Sequence, residues 1–166
     1  MACIICDMIK KNIYLLYSDN NISVLLHPDS AVYGHIIIAP TKHKVIMEEL
    51  DNSELKAMSN FVSIIGKVMI NTLKCEGINI IMNSGDGAGQ TIPHVHVELV
   101  PRYSNDNIKL GWEPKKISNE DLGKIELILK NSLENKQIRK ENKKPEKEEK
   151  KEVINNNFIE ELRRIP

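Results

Sequence analysis

An α+β fold is predicted for this chain of 166 residues, in the form of an antiparallel sheet with one long helix across it. Short apolar segments separated by turn residues predict the strands. A single long segment carries apolar residues at three- and four-residue intervals, which predicts one amphipathic helix. Helical segments do not alternate with the strands, so the pattern disfavours the parallel crossovers of a doubly wound sheet.

The first part of the chain predicts a helical turn and the first three strands of a meander. Their ranges are 3–11 for the helical turn and 13–18, 22–27 and 35–39 for the strands. Asp, Asn and Asn at 19–21 suit a hairpin between the first two strands. Pro40 closes the third strand, and a short helical segment is expected between His43 and Leu50.

The long helix is predicted to begin near Asp51, and Asp51, Asn52 or Ser53 can cap it. Glu54 can complete a capping box with Asp51. The apolar face of the helix consists of residues 55, 58, 61, 62, 65, 68, 69 and 73. This face is expected to cover the sheet, because an amphipathic helix buries its apolar side. The helix should end near Gly77, and strands are expected at 78–83 and 94–100.

Three parts of the chain are predicted: a domain at 1–134, a charged linker at 135–152 and an amphipathic arm at 153–166. A helix at 120–134, capped by Ser118 or Asn119, is expected to end the domain. The linker is dominated by Lys and Glu and has too few apolar residues to fold by itself. Apolar residues return in the arm, which is expected to dock on the core or on a partner subunit.

Composition restricts the class of protein. The formal net charge is zero, which disfavours strong nucleic-acid or membrane binding because either would need a basic surplus. The apolar run at the amino end is too short for a signal peptide, and no later run reaches the ~18 residues of a membrane span. A cytoplasmic protein is expected. Its three cysteines are too few for a disulfide scaffold.

A glycine-rich loop lies before the last predicted strand. Gly85, Gly87 and Gly89 allow positive φ angles, so that backbone N–H groups can converge on an anion. Gln90 and Thr91 add side-chain donors. The loop therefore predicts a phosphate site, although similar loops also serve as plain turns.

His94, His96 and Glu98 follow this loop and alternate with apolar residues. Side chains two apart on a strand share a face, so two imidazoles and a carboxylate would form a polar row opposite the core. A neutral imidazole beside bound phosphate predicts a nucleophile that attacks phosphorus. The alternative is an open catalytic metal site formed by the same three side chains.

Residues 83–102 resemble the histidine triad family. The family motif is His-φ-His-φ-His-φ-φ, with φ apolar, after an Asn, a Gly-Asp-Gly run and Gly-Gln-Ser/Thr. The match runs from Asn83 to Val100 and departs at Glu98, which stands at the third His. The resemblance implies a five-stranded antiparallel sheet, with two copies pairing into a ten-stranded homodimer.

The resemblance also implies a hydrolase or transferase that acts at the α-phosphate of purine nucleotides, for example on nucleoside phosphoramidates. It assigns the nucleophile to His96, which would form a covalent nucleotidyl-histidine. It places Asn83, Gly89 and Thr91 against the phosphate. Hydrolysis or phosphorolysis of dinucleoside polyphosphates and a non-catalytic nucleotide-binding module are the alternatives.

Two positions depart from what the resemblance implies. Glu98 would act as a general acid if burial raised its pKa by roughly two or three units, or it would turn away to an Arg or a backbone amide. The sugar-binding acid or amide of the family falls at His27, with Asp29 nearby, so these two residues are the candidate sugar contacts. His35 is expected either to hydrogen bond to the catalytic strand or to be a core histidine.

Cys3 and Cys6 have the spacing of a metal-binding pair, but a pair supplies only two of the four ligands of zinc. By themselves they fit a metal site, a redox pair or buried thiols equally. The resemblance implies a structural zinc whose other ligands are a His after the central Pro and the first His of the motif. These are His43 and His94.

Overall fold

The structure is a computed structural model that describes residues 3–134. The predicted linker at 135–152 and arm at 153–166 lie outside the described residues. The chain divides into two compact units between Ile108 and Lys109. The first unit contains the sheet and all residues of the predicted site.

Seven helices and strands form the described part of the first unit: α1 (Ile4–Lys11), β1 (Leu15–Ser18), β2 (Ile22–Leu26), β3 (Ile36–Pro40), α2 (Asn52–Leu73), β4 (Gly77–Ile81) and β5 (Val97–Arg102). Single 3-10 turns lie at Met47–Glu49 and Asp86–Ala88. The second unit contains α3 (Asn119–Glu134), whose residues are all exposed. The Ser118 hydroxyl caps α3, since it accepts a hydrogen bond from the Asp121 N–H at 3.1 Å.

The five strands form one antiparallel sheet in the order β1-β2-β3-β5-β4, which confirms the predicted fold class. The prediction of a simple meander is wrong beyond β3, because β5 and not β4 pairs with β3. The long α2 connection carries the chain across the sheet to its outer edge, and β5 then returns to the centre. Glu98 of β5 pairs with Ile37 on one side and with Ile81 on the other.

Apolar side chains cover both faces of the sheet. The α2 side chains Met58, Phe61, Ile65 and Met69 are buried in one cluster with the inward residues of β5, which confirms the predicted apolar face. A second cluster joins α1 to the opposite face and consists of Cys3, Ile5, Met8, Leu25, Ile37 and Ala39. Each fully buried side chain of this size contributes roughly 1.5–3 kcal/mol relative to exposure. The two clusters hold α1 and α2 on opposite faces of the sheet.

The predicted start of α2 is confirmed. Asp51 accepts a hydrogen bond from the Glu54 N–H at 2.9 Å, and the Glu54 carboxylate accepts one from the Asp51 N–H at 2.9 Å. Both bonds satisfy donors that the first helical turn leaves free. Among the described residues, no helix combines the length and the apolar character that crossing a membrane requires.

Candidate active site and metal-binding group

The segment that carries the two histidines is not a strand, contrary to the prediction for 94–100. The His94 N–H donates to the Ile92 carbonyl at 2.8 Å, and the Val95 N–H donates to the Lys44 carbonyl at 2.8 Å. β5 begins only at Val97. The segment lies outside the ladder, but Val95 still packs in the same cluster as Val97 and Leu99, as the alternation predicted. His94 and His96 contact different partners.

Cys3, Cys6, His43 and His94 converge, with their four ligand atoms within 4.8 Å of one another. The Nδ1 atom of His94 lies 3.4 Å from Cys3 Sγ and 3.5 Å from Cys6 Sγ, and His43 Nδ1 lies 3.4 Å from Cys6 Sγ. A tetrahedral zinc with bonds of ~2.3 Å to sulfur and ~2.0–2.1 Å to nitrogen has S···N edges of about 3.5 Å. The donor set therefore has the spacing of a zinc site.

Electrostatics favour a cation in this group. Burial lowers the pKa of His94 to about 4, and its Nε2–H donates to the Pro40 carbonyl at 2.9 Å. The Nδ1 lone pair is thus directed at the sulfurs, as in metal-bound histidines whose other nitrogen is held by a carbonyl. Burial and the neighbouring Cys3 raise the pKa of the Cys6 thiol to about 11. The Cys6 thiol therefore stays protonated at neutral pH unless a positive charge between the sulfurs stabilises its thiolate form.

The alternative of an open metal site made by His94, His96 and Glu98 is wrong for the described residues. His94 presents Nδ1 to the two cysteine sulfurs, whereas His96 presents Nε2 to Glu98. The ligand atoms of the three residues form no common group. The physical reason is the turn before β5, which separates the directions of the two imidazoles.

The nucleophile predicted from the motif is positioned by the backbone. The Nδ1 atom of His96 lies 2.6 Å from the carbonyl oxygen of His94, which accepts a hydrogen bond only when the proton is on Nδ1. The neutral ring therefore carries its lone pair on Nε2, and Nε2 can donate to the nearby Glu98 carboxylate only when the ring is doubly protonated. His96 is buried, so its orientation is fixed by packing as well as by this bond. The arrangement suits attack by Nε2 on an electrophile.

Glu98 lies beside that nitrogen. Its Oε1 atom is 3.3 Å from His96 Nε2, and its Oε2 atom is 3.2 Å from His35 Nε2. His35 Nε2 forms no hydrogen bond at this geometry, and the contact is an ion pair only when the imidazole is protonated. His35 and His96 together hold the pKa of Glu98 well below its usual range. The hypothesis of a carboxyl group protonated through burial is therefore wrong.

The alternative expectation for Glu98, a contact with an Arg or a backbone amide, is also wrong. The Arg102 guanidinium bonds to Asp106, to the Asn79 side chain and to the Ile108 carbonyl. The guanidinium N–H groups of Arg102 therefore donate to these acceptors and not to Glu98. Glu98 instead lies among imidazoles because β3 places His35 next to β5. The predicted hydrogen bond from His35 to this strand is not formed. His35 is instead a buried histidine, as the alternative predicted, and its Nε2 atom lies 3.2 Å from the Glu98 carboxylate of β5.

His27 stacks on His35, with the two ring centroids 4.3 Å apart and the planes 12° from parallel. The Asp29 N–H donates to His27 Nδ1 at 3.0 Å, and the Ala31 N–H donates to His35 Nδ1 at 3.2 Å. Each neutral ring therefore carries its proton on Nε2. One nitrogen of each ring and one oxygen of Glu98 lie within 4.8 Å of one another. A metal bound to Nε2 would need the proton of each ring on Nδ1. Here Nδ1 accepts a backbone hydrogen bond in both rings, so the group does not suit a metal.

The geometry around His27 defines a cluster of two N–H donors and a carboxylate, suited to polar groups of a ligand. Burial, with some repulsion from His35, lowers the pKa of His27 and keeps its ring neutral. The predicted sugar contact at His27 lies next to Glu98. The Asp29 carboxylate is not part of this cluster, and the residue contributes its backbone N–H. The stacking of the two rings carried no signal in the sequence.

The glycine loop is held by the side chain of Gln90. Its Oε1 accepts a hydrogen bond from the Gly85 N–H at 2.7 Å, and its Nε2 donates to the carbonyls of Val45 and Ile92 at 2.7 and 2.9 Å. Gln90 was predicted to offer a free donor to a nucleotide. In the structure its amide instead ties the two ends of the loop to the segment before α2.

The loop uses some of its predicted phosphate donors internally. Gly85 and Gly89 have φ angles of 86° and 81°, as the glycine pattern predicted. The Gly89 N–H donates to the Asp86 carbonyl at 2.9 Å, and the Asn83 amide donates to the Gly89 carbonyl at 3.4 Å. Thr91 is exposed. A phosphate would therefore meet the Thr91 hydroxyl first, and the Gly89 N–H only after a local rearrangement.

Comparison with known proteins gives concordant matches. Residues 10–105 match the HIT domain family. An uncharacterized HIT-like protein of Methanocaldococcus jannaschii is 31% identical over 74% of this chain and 95% of its own length. An adenosine 5′-monophosphoramidase of Candida albicans is 27% identical over 80% of this chain and 91% of its own. An adenylylsulfatase of Arabidopsis thaliana is 29% identical over 63% of this chain and 54% of its own.

Solved structures share the fold. A HIT family protein of Bacillus anthracis matches with a TM-score of 0.70 and 27% identity, over 78% of this chain and 96% of its own. A zinc-bound histidine triad family protein of Mycobacterium smegmatis matches with a TM-score of 0.61 and 25% identity, over 81% of this chain and 99% of its own. Sequence motif, sheet order and domain match agree, and the chain belongs to the histidine triad (HIT) family.

Proposed function

We propose that the protein is a nucleotide-binding hydrolase or transferase that acts at the α-phosphate of purine nucleotide conjugates. One observation carries this proposal: His96 Nδ1 is held by a backbone carbonyl, so that Nε2 is the nucleophilic atom of the neutral ring. Relatives named adenosine 5′-monophosphoramidase and adenylylsulfatase support a nucleotide as the substrate.

The proposed reaction proceeds in two displacements. The lone pair of His96 Nε2 forms a bond to the α-phosphorus while the bond from phosphorus to the leaving group breaks. The leaving group takes that electron pair and, if it is an amine, a proton from water. Water then attacks the phosphorus, the P–N bond to His96 returns its electrons to the ring, and the nucleoside monophosphate departs. Thr91, Asn83 and the loop amides stabilise the charge on the phosphoryl oxygens.

A structural zinc at Cys3, Cys6, His43 and His94 accompanies this proposal. The spacing of the four ligand atoms and the presence of two adjacent cysteine sulfurs among them support it. When bound, the metal supplies a cross-link with a closed shell and no Lewis-acid site. The residues of the group join the start of α1 to the turn before β5. His94 is thereby held in place, and its carbonyl in turn orients His96.

Pairing of two copies through β4 is the proposed route to a homodimer. β4 is an edge of the sheet, and its Ile80 is 61% exposed. An edge strand with a large apolar side chain is a template for another strand. Two sheets joined at this edge would contain ten strands. A sedimentation mass equal to a single chain would contradict this pairing.

Trapping of the covalent intermediate tests the proposed function. The protein is mixed with adenosine 5′-phosphoramidate, quenched with denaturant and digested, and the peptides are weighed by mass spectrometry. We expect an adenylyl mass on the peptide that contains His96, and none in His96→Ala. Ser63→Ala, on an exposed position of α2, is the control and should retain the adduct.

Three other results of this experiment are informative, and the first two would indicate a different function. Nucleotide binding without an adduct or product would identify a non-catalytic module. Turnover of diadenosine polyphosphate through the same adduct, with no turnover of the phosphoramidate, would identify the dinucleoside polyphosphate hydrolase. An adduct that persists in His96→Ala would contradict the assignment of the nucleophile.

A further inference from the structure

Glu98 places a negative charge at the reacting centre. Its carboxylate is held on one side by His35 and lies 3.3 Å from the attacking nitrogen of His96 on the other. The side chain is only 23% exposed, so water screens its charge less than at an open surface. The charge belongs to the fixed frame of the site, since Glu98 lies on the interior strand β5, which is paired on both sides.

Any nucleotide bound for attack must place its leaving group near this carboxylate. Attack requires the phosphorus about 3–3.5 Å from His96 Nε2, so the leaving atom lies within roughly 9 Å of Glu98 Oε1. Charges at such separations still interact appreciably inside a partly buried site. The competing substrates carry the same charge on the α-phosphate and differ in the charge of the leaving group. The repulsion from Glu98 therefore differs between them only through the leaving group.

Two neighbouring cations are turned to other partners. The Lys44 ammonium pairs with Glu54 and donates to the Glu49 carbonyl, although the Lys44 backbone bonds to Val95 next to His96. The Arg102 guanidinium on the same strand as Glu98 is held by Asp106. Neither side chain offsets the charge of Glu98 at the reacting centre.

On the basis of the proposed function, we propose that Glu98 makes this site select nucleotide conjugates whose leaving group is an uncharged amine over those whose leaving group is an anion. An amine departs with the electron pair of the P–N bond and a proton from water, so the departing group itself is uncharged. The hydroxide formed is neutralised by the proton that the attacking water releases in the second displacement. A sulfate or phosphate departs with the electron pair of the P–O bond and keeps its negative charge. The repulsion from Glu98 opposes both binding and departure of such a group.

Comparison of two substrates that share adenosine and the α-phosphate tests this selectivity. Adenosine 5′-phosphoramidate releases an amine, and adenosine 5′-phosphosulfate releases sulfate. The measured quantity is the ratio of kcat/KM for the first to kcat/KM for the second. In Glu98→Gln, which keeps the size of the side chain and removes its charge, we expect this ratio to fall by at least about tenfold relative to wild type.

Two further variants separate charge from structure. Glu98→Asp retains a carboxylate and should keep the ratio closer to the wild-type value than Glu98→Gln does, even if both rates decrease. Glu76→Gln removes an exposed carboxylate just before the far end of β4, where it bonds to Ser104, and should leave the ratio unchanged.

The results separate failure of this proposal from failure of the proposed function. Turnover of both substrates with a ratio that Glu98→Gln leaves unchanged or raises would overturn the selectivity while retaining the hydrolase. A ratio that falls equally in Glu98→Gln and Glu98→Asp would show that the shape of the side chain matters and its charge does not, which also overturns it. Absence of turnover with both substrates, in wild type and in all three variants, would contradict the proposed function itself.

Discussion

At the scale of single residues, Gln90 shows how a residue of a binding motif can act on the loop instead of on the ligand. Its side-chain amide makes three hydrogen bonds, one within the loop and two to the carbonyls of Val45 and Ile92. The loop backbone needs these bonds because its positive φ angles at Gly85 and Gly89 leave it without ladder pairing. Thr91, the next residue, is exposed and free to meet a phosphate.

Gln90→Ala is therefore expected to lower both stability and affinity for a nucleotide. Loss of its hydrogen bonds should reduce the free energy of unfolding by about 1–3 kcal/mol and weaken binding of adenosine monophosphate by roughly tenfold, because the loop is no longer preorganised. Urea denaturation and isothermal titration calorimetry measure the two effects.

The neighbouring variant Thr91→Val provides the matched control. It removes an exposed hydroxyl that would meet the phosphate, so it should weaken binding while leaving the free energy of unfolding near the wild-type value. A Gln90→Ala protein as stable as wild type would show that the three bonds do not hold the loop.

At the scale of elements, the end of α2 packs against the turn that starts β3. Gly34 has a φ angle of +85°, and a Cβ atom there would overlap the Cδ1 atom of Leu73 in the last turn of α2. Glycine is therefore required both by the backbone conformation and by the approach of the helix. The same turn leads directly into His35, so this packing also fixes the start of the strand that faces Glu98.

Gly34→Ala is expected to reduce the free energy of unfolding by at least about 2 kcal/mol, from backbone strain together with the overlap. Gly77→Ala is the control, because no atom lies within 4 Å of a Cβ at that position. Urea denaturation measures both variants. In the Leu73→Ala background the cost of Gly34→Ala should become smaller, since the overlap is removed and the strain remains. An equal cost in both backgrounds would contradict the overlap.

At the scale of the whole molecule, the metal-binding group joins distant parts of the first unit. Cys3 and Cys6 lie near the first residues of the described chain, whereas His94 lies shortly before β5. A metal here closes a long loop of chain, which stabilises the folded state because the unfolded chain lacks the preformed site. The group therefore links the stability of α1 to the orientation of the nucleophile.

Removal of the metal should lower the melting temperature without abolishing the chemical step. We expect about one zinc ion per chain by elemental analysis, and its loss in Cys3→Ser. Cys75→Ala removes a buried cysteine outside the group and should retain the zinc. At a temperature where the metal-free protein remains folded, the adenylyl adduct should still form. Complete loss of the adduct in folded, metal-free protein would indicate a catalytic metal.

Features that depend on residues close together in the chain could be predicted from the sequence. The capping box of Asp51 and Glu54 and the apolar face of α2 follow from local spacing, and both are present. The motif from Asn83 to Val100 identified the family and therefore a sheet of five antiparallel strands. Local spacing also pointed to Cys3 and Cys6 as a pair, although their partners His43 and His94 came from the family resemblance.

Only the tertiary structure decided which distant residues meet. The position of β5 between β3 and β4 brings Glu98 to His35, and the segment before α2 offers the Val45 carbonyl to Gln90. The direction of His94 toward the cysteines depends on the turn before β5. Hydrogen bonds and ion pairs act over a few ångströms in space, so their partners are set by the packing of strands and helices and not by distance along the chain.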